Sequence, residues 1–269
     1  MQGIKEIVHV IPLGHEYDRV VKPFERHRPN RVYLLTITDP RNIPHITEEM
    51  FKRQEYFLTL VRTFLEERGI EVIVENTNIF DVLDVLRQVS RIVRMEKQRN
   101  NIVYVNMSGA GRLTSVAATL AAMAHDAIVY YVMADRYAKT DEEELKHGLS
   151  ICQDVKVIEL VNFHISLPDK TSLKLLAELC KREKGMKTDE ILDFLKKLGI
   201  EEFDEKSLKP EVRKDKRRSQ QILLNRLNKK MLDKLEAEGY VEREKSGRYN
   251  IIKITETGRY AAYISGFVD

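Results

Sequence analysis

Ile102-Val103-Tyr104-Val105-Asn106-Met107-Ser108-Gly109-Ala110-Gly111-Arg112 runs directly into the alanine-rich stretch Leu113 to His125. The order is strand, glycine-bearing turn, helix. Such a turn lets the backbone come close to an anion, and the helix start then offers unpaired N–H groups and a positive dipole end. Asn106 and Ser108 add short hydrogen-bonding side chains, and Arg112 adds a guanidinium suited to phosphate. The third glycine of GxGxxG is missing, because position 114 is threonine, and so is the GK[ST] ending of a P-loop. The segment is therefore neither a dinucleotide fingerprint nor an NTPase motif. An ordinary tight turn whose glycines serve positive φ accounts for the same residues equally well.

Outward from this unit the N-terminal part repeats the alternation that implies a parallel sheet with crossover helices. Strands are expected at Lys5 to Ile11, Arg31 to Thr38, Ile70 to Glu75, Ile102 to Asn106 and Ala127 to Met133, with a last one at Val155 to Val161. Helical periodicity fills Glu16 to His27, Thr47 to Arg68, Ile79 to Gln98 and Leu113 to His125. In the second of these, Met50, Phe51, Phe57, Leu58, Val61 and Leu65 form one apolar face that would cover the sheet. Tyr137 to Leu149 reads as an acidic, polar excursion. A second glycine turn, Pro12-Leu13-Gly14-His15, follows the first strand. In a doubly wound sheet the loops after strands one and four flank the crevice where strand order reverses, so the two turns can share one ligand. His15 has no carboxylate partner identifiable from sequence and reads more readily as a surface residue than as a catalyst.

Leu167-Pro168-Asp169 should stop regular structure, which places a domain boundary near residue 166 and divides the chain into 1–165 and 166–269. The charge divides with it. Residues 1–169 carry 21 Lys+Arg against 24 Asp+Glu, whereas residues 170–269 carry 24 against 18. Only the C-terminal part has the basic balance expected of a nucleic-acid partner. Cys152 and Cys180 stand alone, without CxxC or His-pair spacing, so neither disulfides, a metal site nor any other cofactor is expected. With no signal-peptide pattern and no uninterrupted apolar span, a reducing, cytoplasmic setting is the expectation.

The segment ending Asn106-Met107-Ser108-Gly109-Ala110-Gly111-Arg112 resembles the fourth-strand motif of CARF domains, the CRISPR-associated Rossmann-fold sensors. The resemblance spans residues 1 to about 165 and implies a homodimer, with a pocket across its two-fold axis holding a cyclic oligoadenylate. Carried over by position, Leu13, Gly14, His15, Asn106, Ser108, Gly109, Gly111 and Arg112 would line that pocket. The Ala110-Gly111-Arg112 ending departs from relatives that place Lys last, which bears on ring size. Some CARF domains are ring nucleases, but no catalytic constellation is identifiable here, so an enzyme is not expected.

The C-terminal part resembles a winged helix-turn-helix domain, the arrangement of CARF transcriptional regulators found mainly in archaea. Helices are expected at Ser172 to Glu183, Lys187 to Leu198 and about Ser219 to Glu238, followed by a hairpin turning at Ser246-Gly247. Leu223, Leu224, Leu227, Met231, Leu232 and Leu235 give the long helix its apolar stripe. Its basic entry, Arg213, Lys214, Lys216, Arg217 and Arg218, precedes Ser219, Gln220, Gln221, Asn225 and Arg226, side chains able to meet phosphates and base edges. Lys245 and Arg248 would lie on the wing. The fold class expected is thus α/β, a Rossmann-like mostly parallel sheet domain, followed by an α+β winged helix-turn-helix domain. The function expected is ligand-responsive binding of a palindromic DNA operator. Two alternatives are cleavage of the ligand and ligand-independent binding of DNA.

Overall fold

The computed structural model describes residues 5–25, 27–41, 43–44, 46–163, 165–246 and 249–268, and for Ser246 and Tyr249 the backbone alone. Arg248 and Gly247 of the expected wing turn lie outside the described residues. The chain forms two compact units, Met1–Ser166 and Leu167–Asp269.

In the first unit the elements are β1 (Ile7–Pro12), α1 (Asp18–Val21), β2 (Arg31–Thr36), α2 (Glu48–Glu67), β3 (Glu71–Asn76), α3 (Val82–Gln98), β4 (Ile102–Asn106), α4 (Arg112–Ala124), β5 (Ile128–Met133), β6 (Arg136–Tyr137), α5 (Asp141–His147), β7 (Ser150–Ile151) and β8 (Lys156–Glu159). Six strands form one sheet in the order β3-β2-β1-β4-β5-β8. All neighbours run parallel except β5 and β8. Strand order reverses between β1 and β4, whose parallel register pairs His9 with Tyr104 and Val10 with Val105. The ends of β1 and β4 thus open on the same edge of the sheet, at its switch point. Ile11, Val32 and Leu34 of the sheet share a core cluster with Val20 and Val21 of α1 and Val61 and Leu65 of α2. Helices α3 and α4 pack on each other and on the central strands.

Two expectations need adjusting. Glu16 to His27 is not one helix: α1 is four residues long and passes into a 3-10 turn, Lys22–Glu25. Pro23 removes an amide donor at that point. The polar excursion also contains structure. Asp141, Glu142, Glu143 and Glu144 crowd the first turn of α5, where carboxylates are stabilised by the helix dipole, and Thr140 caps it by accepting from Glu143 N.

The second unit contains α6 (Lys170–Cys180), β9 (Met186–Lys187), α7 (Thr188–Lys197), α8 (Pro210–Arg213), α9 (Lys216–Leu227), α10 (Asp233–Ala237), β10 (Val241–Ser246), β11 (Tyr249–Ile254) and α11 (Glu256–Ile264). A π-helical turn, Asn228–Leu232, joins α9 to α10, so the helical run is continuous from Lys216 to Ala237. It starts three residues earlier than expected because Asp215 is its cap, accepting from Arg218 N at 3.1 Å. The hairpin β10–β11 takes β9 as a third antiparallel strand. Leu175, Leu176, Leu179, Ile191, Leu195, Leu223, Leu227 and Leu232 are its fully or almost fully buried centre. This is a winged helix domain. No helix among the described residues is long and apolar enough to cross a membrane. Among the same residues no group of three His, Cys, Asp or Glu is arranged to hold a metal ion.

Candidate functional site

The turns after β1 and β4 are joined directly, Gly14 N donating to Gly109 O at 2.8 Å. Their glycines are not there for positive φ, since neither Gly14, Gly109 nor Gly111 has it. Gly109 is needed for close approach: a Cβ on it would stand 2.6 Å from Pro12 O and 3.2 Å from Ile11 and Val20. Gly111 is the N-cap of α4 with φ −64° and ψ 165°, and a Cβ there would meet nothing nearer than Thr114 Oγ1 at 3.9 Å. The fold therefore leaves that volume unused. No side chain caps α4. Thr114 turns away, donating to Ile79 O at 2.5 Å. The first-turn amides, which have no intrahelical acceptor, remain directed at the opening. Beside them Arg112 is exposed, and among the described residues its guanidinium has no ion-pair partner.

The other expected ligand residues sit deeper. Leu13 is fully buried in the core cluster. Asn106 and Ser108 are also buried and bind the protein itself. Asn106 Nδ2 donates to Arg19 O at 3.1 Å, and its Oδ1 accepts from Ser108 N at 2.9 Å and Ser108 Oγ at 2.6 Å. Ser108 Oγ in turn accepts from Val132 N at 3.0 Å. These two residues shape the turn and tie β4 to α1 and β5. His15 is half-buried and stacked on Phe57 of α2, with centroids 5.8 Å apart. Burial holds its pKa below the usual histidine value. Gly111, Arg112 and His15 are thus the expected residues with accessible surface.

Several groups escaped the sequence reading. Gln54 of α2 is buried and donates to Leu13 O at 3.1 Å, fixing the β1 turn from above. Its signal was a carboxamide inside the apolar face of Thr47 to Arg68. Behind the same turn lies a buried polar cluster. Glu16 Oε1 accepts from Ser150 Oγ at 2.7 Å, and Asp18 Oδ2 accepts from Cys152 N at 3.0 Å and lies 3.1 Å from His147 Nδ1. Arg19 donates to Tyr131 Oη at 2.9 Å. Glu16 Oε2 and Arg19 Nε are buried and, among the described residues, have no hydrogen-bond partner. Desolvation pushes the Glu16 carboxyl up to about 7, against the opposing Ser150 bond and the Arg19 charge. The cluster ties the β1 turn to α5 and β7, because Leu149 N also donates to His15 O at 2.9 Å. Nothing in local spacing links residues 129 to 134 positions apart. A separate concavity of about 470 Å³ is walled by His9, Phe24, Tyr104, Tyr130 and Val157. There His9 bonds Tyr130 Oη through Nδ1 at 3.0 Å, and burial lowers its pKa to about 3.

In the winged helix unit the expected DNA-binding residues separate by orientation. Arg217, Arg218, Gln221, Asn225 and Lys245 are exposed. Ser219 is fully buried and donates to Val212 O at 2.8 Å. Gln220 donates to Asp189 at 3.2 Å. Arg226 is committed to the fold, its Nη1 donating to Glu202 O at 2.5 Å and to Ser207 Oγ at 2.7 Å.

Comparison with known proteins matches residues 7–137 to the model for HFX_2341_N-like, N-terminal, and residues 171–266 to that for the DUF6293 C-terminal winged helix domain. Uncharacterized protein MJ1513 of Methanocaldococcus jannaschii is 26% identical over 157 residues, 54% of this chain and 44% of that protein. Among solved structures, Can2 of Sulfobacillus thermosulfidooxidans in complex with cyclic tetra-adenylate is 15% identical, with a TM-score of 0.41, over 97% of this chain and 64% of that one. Csm6 of Enterococcus italicus bound to cyclic hexa-2′-fluoro-hexa-dAMP is 14% identical, with a TM-score of 0.39, over 88% and 55%. The chain spans less than half the length of the curated relative and less than two thirds of these two solved chains. Residues 7–137 are thus similar to the HFX_2341_N-like N-terminal model and residues 171–266 to the DUF6293 C-terminal winged helix model, each over less than half of the chain.

Proposed function

We propose that the chain is a ligand-responsive, DNA-binding transcriptional regulator. Residues 1–165 sense a cyclic oligoadenylate or related nucleotide as a homodimer, and residues 166–269 bind a palindromic operator in the cytoplasm. One observation carries the proposal: at the β1/β4 switch point the fold leaves an uncapped helix start, an unfilled volume at Gly111 and an exposed Arg112 with no ion-pair partner among the described residues. Amides and guanidinium there suit a phosphate, and half-buried His15 stands on the neighbouring turn. A symmetric cyclic ligand would bring two such turns together on a two-fold axis. It can shift the winged helices only by the difference in its affinity for the two arrangements.

The test is fluorescence anisotropy on a duplex selected from a random pool, with and without cyclic tetra-adenylate and cyclic hexa-adenylate. The ligand should change the duplex Kd by about 5-fold or more, and the duplex should change ligand affinity by the same factor. If neither DNA affinity nor thermal stability moves, the ligand half of the proposal falls. Cleavage of the same ligand is a second reading, favoured by one pair. His147 is aligned through Nδ1 by buried Asp18, the arrangement of a base held by a carboxylate, on the segment bonded to the β1 turn. Linear product from labelled cyclic tetra-adenylate, lost in His147→Asn, would establish it. Intact ligand after many hours would remove it.

A further inference from the structure

In the second unit α9 turns one side to the core through Leu223 and Leu227, with Leu224 half-buried against the same core, and the other side carries Arg217, Gln221 and Asn225, continued by Asn228 at the start of the π-helical turn, at spacings of three and four residues. Gln221, Leu224, Asn225 and Asn228 meet Thr188 of α7 and Asn250 of β11 around a concavity of about 280 Å³. Among the described residues none of its four carboxamides has a hydrogen-bond partner within the protein. The lining contains one charge, Asp189, and that carboxylate already accepts from Gln220 at 3.2 Å. Exposed cations flank the lining residues along the chain: Arg217 and Arg218 before Gln221, Lys229 after Asn228, and Lys245 on the wing strand β10, paired across the hairpin with Asn250.

Asparagine is a poor helix former, and a helix face meant only for water is better filled by Glu, Lys or Ala. Two asparagines and a glutamine flanked by cations, in a unit otherwise rich in charge, therefore suggest readout. The flanking cations suit phosphates, while neutral donor–acceptor groups between them suit base edges. A carboxamide offers one donor and one acceptor side by side, the complement of N7 and N6 of adenine in the major groove. Guanine presents two acceptors there and is better matched by arginine. Leu224, half-buried against the core, lines the same concavity with the rest of its surface, where it offers the apolar contact that a thymine methyl takes. From Gln221 to Asn228 the helix rises about 10 Å, the length of about three base pairs.

Resting on the DNA-binding reading above, we infer that Gln221, Asn225 and Leu224 select a half-site core of about three consecutive A·T pairs, with Asn228 and Asn250 completing the contact surface. The test is selection from a random duplex pool by the full chain, with and without cyclic tetra-adenylate, followed by affinity measurements on the winner. The recovered half-site should contain an A·T core. Replacing one core adenine by 7-deaza-adenine, which lacks the N7 acceptor, should weaken wild-type binding about 5-fold or more. Asn225→Ala should lower the ratio of selected to random affinity by a comparable factor. Arg217→Ala should weaken both duplexes alike and leave that ratio unchanged. Duplex binding that persists with a G·C core, with no base preference, or with indifference to 7-deaza-adenine overturns the inference and leaves the DNA-binding proposal standing. Failure to retain any duplex in either condition overturns both. The 7-deaza arm uses unmodified protein, so a misfolded variant cannot mask the outcome.

Discussion

Gly111 and Arg112 are adjacent, and among the described residues nothing fills the space beside the one or pairs with the charge of the other. Gly111 already has the extended backbone of an N-cap, which serine adopts readily. Gly111→Ser should therefore leave the melting temperature unchanged or slightly raised, while its hydroxyl occupies the amides and weakens cyclic tetra-adenylate binding. A melting curve and a ligand titration on one sample check both halves. Glu16 gives a pH signature in the same turn. Its folded pKa, about 7, lies above the ordinary carboxylate value, so between roughly pH 4.5 and 7 the folded chain holds more of that proton than the unfolded one. Stability contributed by Glu16 is thus fully present below about pH 4.5 and is lost as pH rises to 7. His9, lowered to about 3, acts oppositely below about pH 6.5. Glu16→Gln keeps an acceptor for Ser150 and should stabilise the chain at pH 8 relative to pH 5, by up to about 3 kcal/mol. Melting temperatures that move equally at both pH values would remove Glu16 from the account.

At the scale of elements, the junction of β4 and α4 depends on Gly109 more than on any other glycine of the two turns. Gly109→Ala would press a methyl against the Pro12 carbonyl and should cost about 1–3 kcal/mol in urea unfolding, because backbone rather than a flexible side chain has to move. In α9, Ser219→Ala should cost about 1 kcal/mol by removing the side-chain bond to the Val212 carbonyl, which keeps only its backbone donors such as Asp215 N, without altering base preference. The alternation of strands and helices was readable because periods of 2 and 3.6 are local properties, and β1 through β5 appear close to where they were expected. Direction was not readable. Asn106, Ser108 and Ser219 are polar residues next to basic or glycine-rich segments, yet each spends its hydrogen bonds inward. Only the tertiary fold decides whether such a group faces water. The His147–Asp18 pair was hidden for a related reason: its partners are far apart in sequence.

For the whole molecule, charge and motif are what support the proposed division of labour. The slightly acidic unit carries the anion-suited turn, and the basic unit carries the exposed helix face and wing. Binding of DNA through phosphates predicts that affinity falls steeply with salt, and that Arg217→Ala lowers the slope of log Kd against log salt by about one. An unchanged slope would mean that α9 does not meet the backbone at that point. The central claim concerns the other unit, and calorimetric titration of cyclic tetra-adenylate into the wild-type chain and Arg112→Ala tests it most directly. The account predicts one ring bound per two wild-type chains and affinity at least about 10-fold weaker in the variant, as expected for a lost charge-assisted phosphate contact. Equal affinities in the two proteins, or no heat of binding in either, would contradict it.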